Sequence, residues 1–163
     1  MERMTHKTSK LIPKIALYQP DIPQNTAAII RTCSCLGAIL EIIEPCGFFF
    51  NDKRFKRIAM DYIDKKNIKF YNNYDHFLKS KKGQRIILMT TKAKKRYNKF
   101  IFRLDDTLLF GRESAGVPAE VHKKSKFKLK IPLKNNMRSL NIASSVAIVL
   151  SENLRQNDFK NYG

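Results

Sequence analysis

Three polar segments of this 163-residue chain carry side chains able to do chemistry. Asn25 and Arg31 bracket an otherwise apolar run. Gly111-Arg112-Glu113-Ser114-Ala115-Gly116 is a glycine-bounded loop, and Arg138-Ser139-Leu140-Asn141 opens the last apolar stretch. The glycine loop is neither of the common phosphate motifs: no Lys-Ser/Thr follows Gly116, and the spacing is not G-x-G-x-x-G. What it offers is backbone that a ligand can approach closely. Asn25 and Ser139 can each cap a helix, and the N-terminus behind Ser139 favours an anion. Arg31, set between Ile29-Ile30 and Cys33, requires a carboxylate or phosphate if buried. Two readings stay open: an ion pair with Glu113 or Glu41, or a phosphate contact at an active site.

Other catalytic sets lack context. Cys33, Cys35 and Cys46 are odd in number and have no C-x-x-C spacing, and His6, His76 and His122 are scattered. No metal site is expected; the thiols read as reduced and the compartment as cytoplasmic. Charge is more informative: 32 Lys+Arg against 14 Asp+Glu give +18, which points to a polyanionic partner. A lysine-rich composition accounts for part of that excess but not for the scarcity of acids. Lys53-Arg54-Lys56-Arg57 and Lys92 to Arg96 are the clusters expected to meet phosphates. No run approaches the ~20 apolar residues of a membrane span, and Met1 to Lys10 has no apolar core, so it is no secretory signal.

These residues must be positioned by an alternation of strands and helices. Apolar runs at 14–18, 38–43, 68–71, 85–90, 107–110 and 127–131 predict six strands. Helices are predicted from Asn25 or Thr26 to Leu36, over the basic segment 52–57, at 74–79, after Pro118, and from Ser139 to about Gln156. This is an α/β pattern with a mostly parallel sheet flanked by helices. In such sheets ligands bind beyond the carboxyl ends of strands, so the loops after Thr90, Phe110 and Ile131 are expected to share one pocket. The last helix, apolar nearly all round from Leu140 to Leu150, is expected to be buried or in a dimer interface. The organisation expected is one domain over 14–157, a disordered polar extension over 1–13 and a tail over 158–163.

Taken together, Pro20-Asp21-Ile22-Pro23-Gln24-Asn25-Thr26 through Arg31, Leu109-Phe110-Gly111-Arg112-Glu113 through Pro118, and Ile131-Pro132 through Asn141 resemble the three motifs of the SPOUT RNA methyltransferases. Asn51 to Arg57 with Asp61-Tyr62, plus Glu152 and Arg155-Gln156, resemble the TrmL subgroup, whose members are tRNA wobble-nucleotide 2′-O-methyltransferases. The resemblance spans about Ile15 to Gln156. It implies a SPOUT fold with a deep C-terminal trefoil knot, among the rare exceptions to unknotted topology. It also implies a homodimer, S-adenosylmethionine as cofactor and tRNA as substrate. Carried over by position, Met89, Thr90, Gly111, Ile131, Leu133, Ser139 and Leu140 would bind the cofactor. Arg31, Asn25, Glu113, Ser139 and Asn141 would form the catalytic set. Lys53, Arg54, Arg57, Lys94, Lys95, Arg96 and Arg138 would contact RNA.

Four positions depart from the subgroup pattern: Arg112 stands where Pro is usual, Ala115 where a basic residue is common, and Ser151 and Leu154 replace an expected Tyr and Trp. A broader TrmH-like enzyme, acting on another tRNA site or on rRNA, usually has Gly in the loop before Ser-Leu-Asn. Here that loop is Lys134-Asn135-Asn136-Met137-Arg138, which favours the TrmL subgroup. A non-enzymatic RNA-binding module is the remaining alternative, since basic charge alone would serve it.

Overall fold

The apolar runs lie side by side in one seven-stranded sheet. The structure, a computed structural model, describes residues 11–50, 53, 55, 57, 67–160 and 162–163. Its strands are β1 (Lys14–Tyr18), β2 (Ile39–Ile43), β3 (Ile68–Tyr71), β4 (Ile86–Met89), β5 (Lys95–Arg96), β6 (Thr107–Phe110) and β7 (Phe127–Lys130). The described helices are α1 (Pro23–Cys35), α2 (Tyr74–Ser80), α3 (Ala119–Lys124) and α4 (Ile142–Gln156). Strand order is β3-β2-β1-β6-β4-β7-β5, and every pairing is parallel.

Side-chain alternation sorts the core into two layers. Ile15, Leu17, Leu40, Ile42, Leu108 and Phe110 face α1 and α4, packing on Ile29, Ile30, Val146, Val149 and Leu150. Ala16, Tyr18, Ile43, Leu88 and Leu109 face the other way, onto Phe77 of α2 and Val121 of α3. With both faces covered, the central strands are apolar at nearly every position, as parallel sheets require.

Several boundaries differ from the sequence reading. Helix α1 begins two residues before Asn25, because Pro23 supplies a preset φ at the first helical position; Ile22 is the N-cap, with no side-chain bond. Asn25 therefore sits inside the first turn and caps nothing. Helix α4 begins at Ile142, and its cap is Asn141, not Ser139: the Asn141 Oδ1 accepts from the backbone N–H of Ala143 at 2.8 Å and of Ser144 at 3.4 Å. Nor is α4 buried all round, since Ser144, Ile148 and Ser151 face outward. Lys95 and Arg96, read as part of a loop, form the short edge strand β5 against Leu129 and Lys130. Lys53, Phe55 and Arg57 are helical, as expected of their segment. Arg54, with Asp52 and Lys56, and the extension up to residue 10 lie outside the described residues. At the far end Tyr162 donates its hydroxyl to the Leu36 carbonyl at 2.5 Å, above Gly37.

Candidate active site at the carboxyl ends of the central strands

A cavity of about 540 Å³ opens beyond the carboxyl ends of β4, β6 and β7, within the ~300–1,000 Å³ range of small-molecule sites. The three loops expected to converge do so. Met89 ends β4 and Thr90 follows it, Gly111 follows β6, and Ile131, Leu133, Ser139 and Leu140 follow β7; all seven line the cavity. The glycine loop folds back on itself: Arg112 N donates to the Gly116 carbonyl at 3.0 Å and Gly116 N to the Arg112 carbonyl at 2.9 Å. Gly116 turns the chain at φ +65°, where a side chain is strained. At Gly111 the demand is space, since a Cβ there would lie 2.5 Å from the Gly116 carbonyl carbon. The wall at that point is backbone because nothing larger than hydrogen fits.

Along one edge of the cavity the three polar segments are joined by a row of hydrogen bonds. Asn141 Nδ2 donates to Asn25 Oδ1 at 2.9 Å, and Asn25 Nδ2 donates to Glu113 Oε1 at 3.4 Å. Glu113 and Asp21 exchange reciprocal bonds: Asp21 N donates to Glu113 Oε2 at 3.1 Å, and Glu113 N to Asp21 Oδ1 at 3.2 Å. Ser114 Oγ also donates to Asp21, and Arg112 Nε lies 3.9 Å from its carboxylate. Burial and the neighbouring Asp21 push the Glu113 carboxyl above the usual range, while the bond with Glu113 holds Asp21 below it.

Asn25, Glu113, Ser139 and Asn141 all line the cavity. Arg31 does not: it lies on the exposed face of α1 with Gln24, Ala28 and Cys35. Its helical phase, not the apolar neighbours in sequence, decides its exposure. Glu41, one partner considered for it, is buried and taken by Lys81 and by the Tyr71 hydroxyl at 3.0 Å. Sequence reasoning did not select Asp21 or His122 for the site, and it placed Lys92 only in the basic run expected to meet phosphates. Asp21 was visible inside a quoted segment, but its partnership with Glu113 spans 92 residues and carries no local signal. Lys92 and His122 line the cavity, and the His122 Nε2 is buried without a hydrogen-bond partner.

Lys53, Arg57, Lys94, Lys95, Arg96 and Arg138 are all exposed; Lys95 also sits over the Phe100 ring at 5.1 Å. Arg138 directly precedes the cavity-lining Ser139 in the chain. Burial pushes the Cys33 thiol up to about 12, and burial with the charges of Glu44 and Glu113 does the same for Cys46. Among the described residues no cluster of three His, Cys, Asp or Glu is placed to hold a metal, and no helix is long and apolar enough to cross a membrane.

Residues 13–151 match the model of the SpoU rRNA Methylase family. A curated relative from Beijerinckia indica, named tRNA (cytidine(34)-2′-O)-methyltransferase, is 48% identical over 144 residues, covering 87% of this chain and 90% of its own. A solved structure described as giving structural insights into the 2-OH methylation of C/U34 on tRNA is 34% identical, with a TM-score of 0.86 over 91% of this chain and 98% of the other. The SpoU methyltransferase AviRb from Streptomyces viridochromogenes, solved in complex with the cofactor AdoMet, shares the fold at a TM-score of 0.80 and 21% identity, over 91% of this chain and 58% of the other.

Proposed function

The chain belongs to the SpoU rRNA methylase family, and from that premise we propose that it is a tRNA 2′-O-methyltransferase acting on the wobble nucleotide, position 34, a cytidine or modified uridine. The observation that carries this reading is the row Asn141–Asn25–Glu113, which brings all three resembling segments to one edge of one cavity. A non-enzymatic RNA-binding surface needs no such arrangement.

The cavity suits S-adenosylmethionine as methyl donor. It has the volume, and the Gly111–Gly116 wall offers bare backbone to a flat, hydrogen-bonding ligand. Met89, Thr90, Gly111, Ile131, Leu133, Ser139 and Leu140 would hold it. When bound, the cofactor supplies a sulfonium methyl already activated for attack, so the protein's task is chiefly in-line positioning. Asn25 and Asn141 fix the polar edge at which the ribose presents its 2′-hydroxyl, and Glu113 anchors that edge to Asp21. Arg31, on the exposed face of α1, clamps the phosphate beside the target ribose with its guanidinium and stabilises developing alkoxide. Lys53, Arg54, Arg57, Lys94, Lys95, Arg96 and Arg138 contact the rest of the RNA.

The same reading makes 14–157 one catalytic domain working in the cytoplasm as a homodimer with a deep trefoil knot. The placing of β6 and β7 on either side of the earlier β4 supports the knot. Leu140, just ahead of α4, and Ile148, on its outer face, are 42% and 36% exposed and support the dimer. Light scattering should give twice the 19.0 kDa chain mass. The function is tested by incubating the purified protein with S-adenosylmethionine and unmodified tRNA, then mapping 2′-O-methyl groups by nuclease digestion and mass spectrometry. Methylation at position 34 is expected; a methyl group elsewhere on tRNA, or only on rRNA, overturns the reading.

A further inference from the structure

The run Phe48-Phe49-Phe50 divides by direction. Phe48 and Phe50 turn inward onto the Phe55 ring, with centroids 5.5 and 4.7 Å away, and Phe50 also meets Phe70 at 5.0 Å. Phe49 turns outward and is 85% exposed, the most exposed large hydrophobic among the described residues. Its neighbours fill the core and hold the loop, so Phe49 contributes nothing to packing while leaving a large apolar surface in water.

The position of that ring is fixed by the loop behind it. Gly47 N donates to the Pro20 carbonyl at 2.9 Å, and a Cβ on Gly47 would lie 2.8 Å from Asp21 Cβ. The loop is thus seated directly on the residue that pairs with Glu113 at the cavity edge. Following it in sequence, Lys53 and Arg57 are each helical and exposed. An outward aromatic beside cations is the combination that binds unpaired nucleic acid: the ring stacks a base and the cations take its phosphates. A second copy of this chain is disfavoured as the occupant, because two such faces would oppose their own cations within a chain of net charge +18.

We propose that Phe49 is a stacking platform for an unpaired base of the substrate RNA, with Lys53 and Arg57 gripping the phosphates beside it. The inference rests on the methyltransferase reading only in taking RNA as the substrate. Stacking releases no counterions, whereas a phosphate contact does, so salt separates the two parts.

The test measures binding of an anticodon stem–loop RNA, and of a fully paired duplex, across a salt series. Phe49→Ala should weaken stem–loop binding about 5- to 100-fold at every salt concentration, with an unchanged slope of log K against log salt. Phe49→Tyr should restore affinity and Phe49→Leu should not, while S-adenosylmethionine affinity stays the same in all three. Lys53→Ala and Arg57→Ala should each flatten the slope by about 0.7. Unaltered binding by Phe49→Ala, rescue by Leu equal to that by Tyr, or equal loss of duplex binding overturns the proposal. So does a halved particle mass, which would give the face to a second copy. If the wild-type protein methylates no tRNA yet binds the stem–loop through Phe49, the function falls and the platform stands. If Phe49→Ala methylates position 34 with wild-type KM, the platform falls and the function stands.

Discussion

Asn141 donates from Nδ2 to the Oδ1 of Asn25 at 2.9 Å, while its own Oδ1 caps the first turn of α4. One side chain thereby ends a helix and begins the polar row that reaches Glu113. Each amide in the row donates toward Glu113 and accepts from behind, so the dipoles reinforce one another.

Capping and relay can be separated at Asn141. Asn141→Ala removes both and should cost about 1 kcal/mol of stability along with most methyl transfer. Asn141→Asp keeps an acceptor at the helix N-terminus, where negative charge is favoured, but cannot donate to Asn25. Urea unfolding should find the Asp variant as stable as wild type, and single-turnover methylation should find it as impaired as the Ala variant. An active Asp variant would remove the relay from the mechanism.

The two loop glycines are needed for different reasons. Gly111→Ala forces a Cβ to within 2.5 Å of backbone and should destabilise by about 1–3 kcal/mol, as overpacking does, with loss of cofactor affinity. Gly116 has nothing within 4 Å of a Cβ but sits at φ +65°, so Gly116→Ala should cost roughly 1–2 kcal/mol. Asn, which tolerates that backbone region, should rescue position 116 and fail at 111. Calorimetric titration with S-adenosylmethionine and thermal unfolding read both effects.

The Asp21–Glu113 pair predicts a pH dependence of stability. Because folding raises the Glu113 pKa, its contribution is present at acid pH and is lost as pH rises through the folded value. Folding lowers the Asp21 pKa, so its contribution is present above the ordinary carboxylate range and is lost as pH falls through the folded value. Glu113→Gln removes the first dependence and weakens the second, because the Glu113 side chain is the main cause of the low Asp21 value. Relative to wild type, the variant should gain stability as pH rises from about 4 toward neutrality, measured as urea midpoints across that range. A difference that does not vary with pH would mean the pair is not coupled in this way.

Only one cysteine should be open to reagents. Cys33 and Cys46 hold thiols pushed up to about 12, whereas Cys35 is exposed on α1. Native protein treated with iodoacetamide at mildly alkaline pH should gain one adduct, on Cys35, by peptide mass spectrometry. Rapid labelling of Cys46 would show that the loop behind Phe49 opens.

Replacing Lys94, Lys95 and Arg96 with Ala should flatten the salt dependence of tRNA binding by about two units and leave S-adenosylmethionine affinity unchanged. The expected loss is below one unit per residue because each phosphate contact releases only about 0.7–0.9 of a counterion. An unchanged slope would place the RNA elsewhere.

The central strands were legible because burial on both faces writes an apolar run directly into the sequence. Strand β5 was not: its two residues, Lys95 and Arg96, pair by backbone alone and keep exposed polar side chains. Asn141 and Ser139 are both good caps, and only the docked position of α4 chooses between them. The exposure of Arg31 was not legible because its neighbours in sequence are apolar, whereas its neighbours on the helix surface are Gln24, Ala28 and Cys35. Convergence of the three loops followed from the parallel sheet, and the roles of the polar residues came from family resemblance. The Asp21–Glu113 exchange joins two segments that no local pattern connects.

The strand order has a consequence for how the protein is made. Strand β1 is the first to be synthesised, yet one of its edges is completed only by β6, with Ala16 registered on Leu109. The polar row waits longer still, since Asn141 must arrive before Asn25 has its donor. A ribosome-bound chain that has delivered Phe110 can therefore pair five of the seven strands, β3-β2-β1-β6-β4, yet does not hold the finished site. The row is complete only once Asn141 has been delivered, so a product truncated before that residue lacks it.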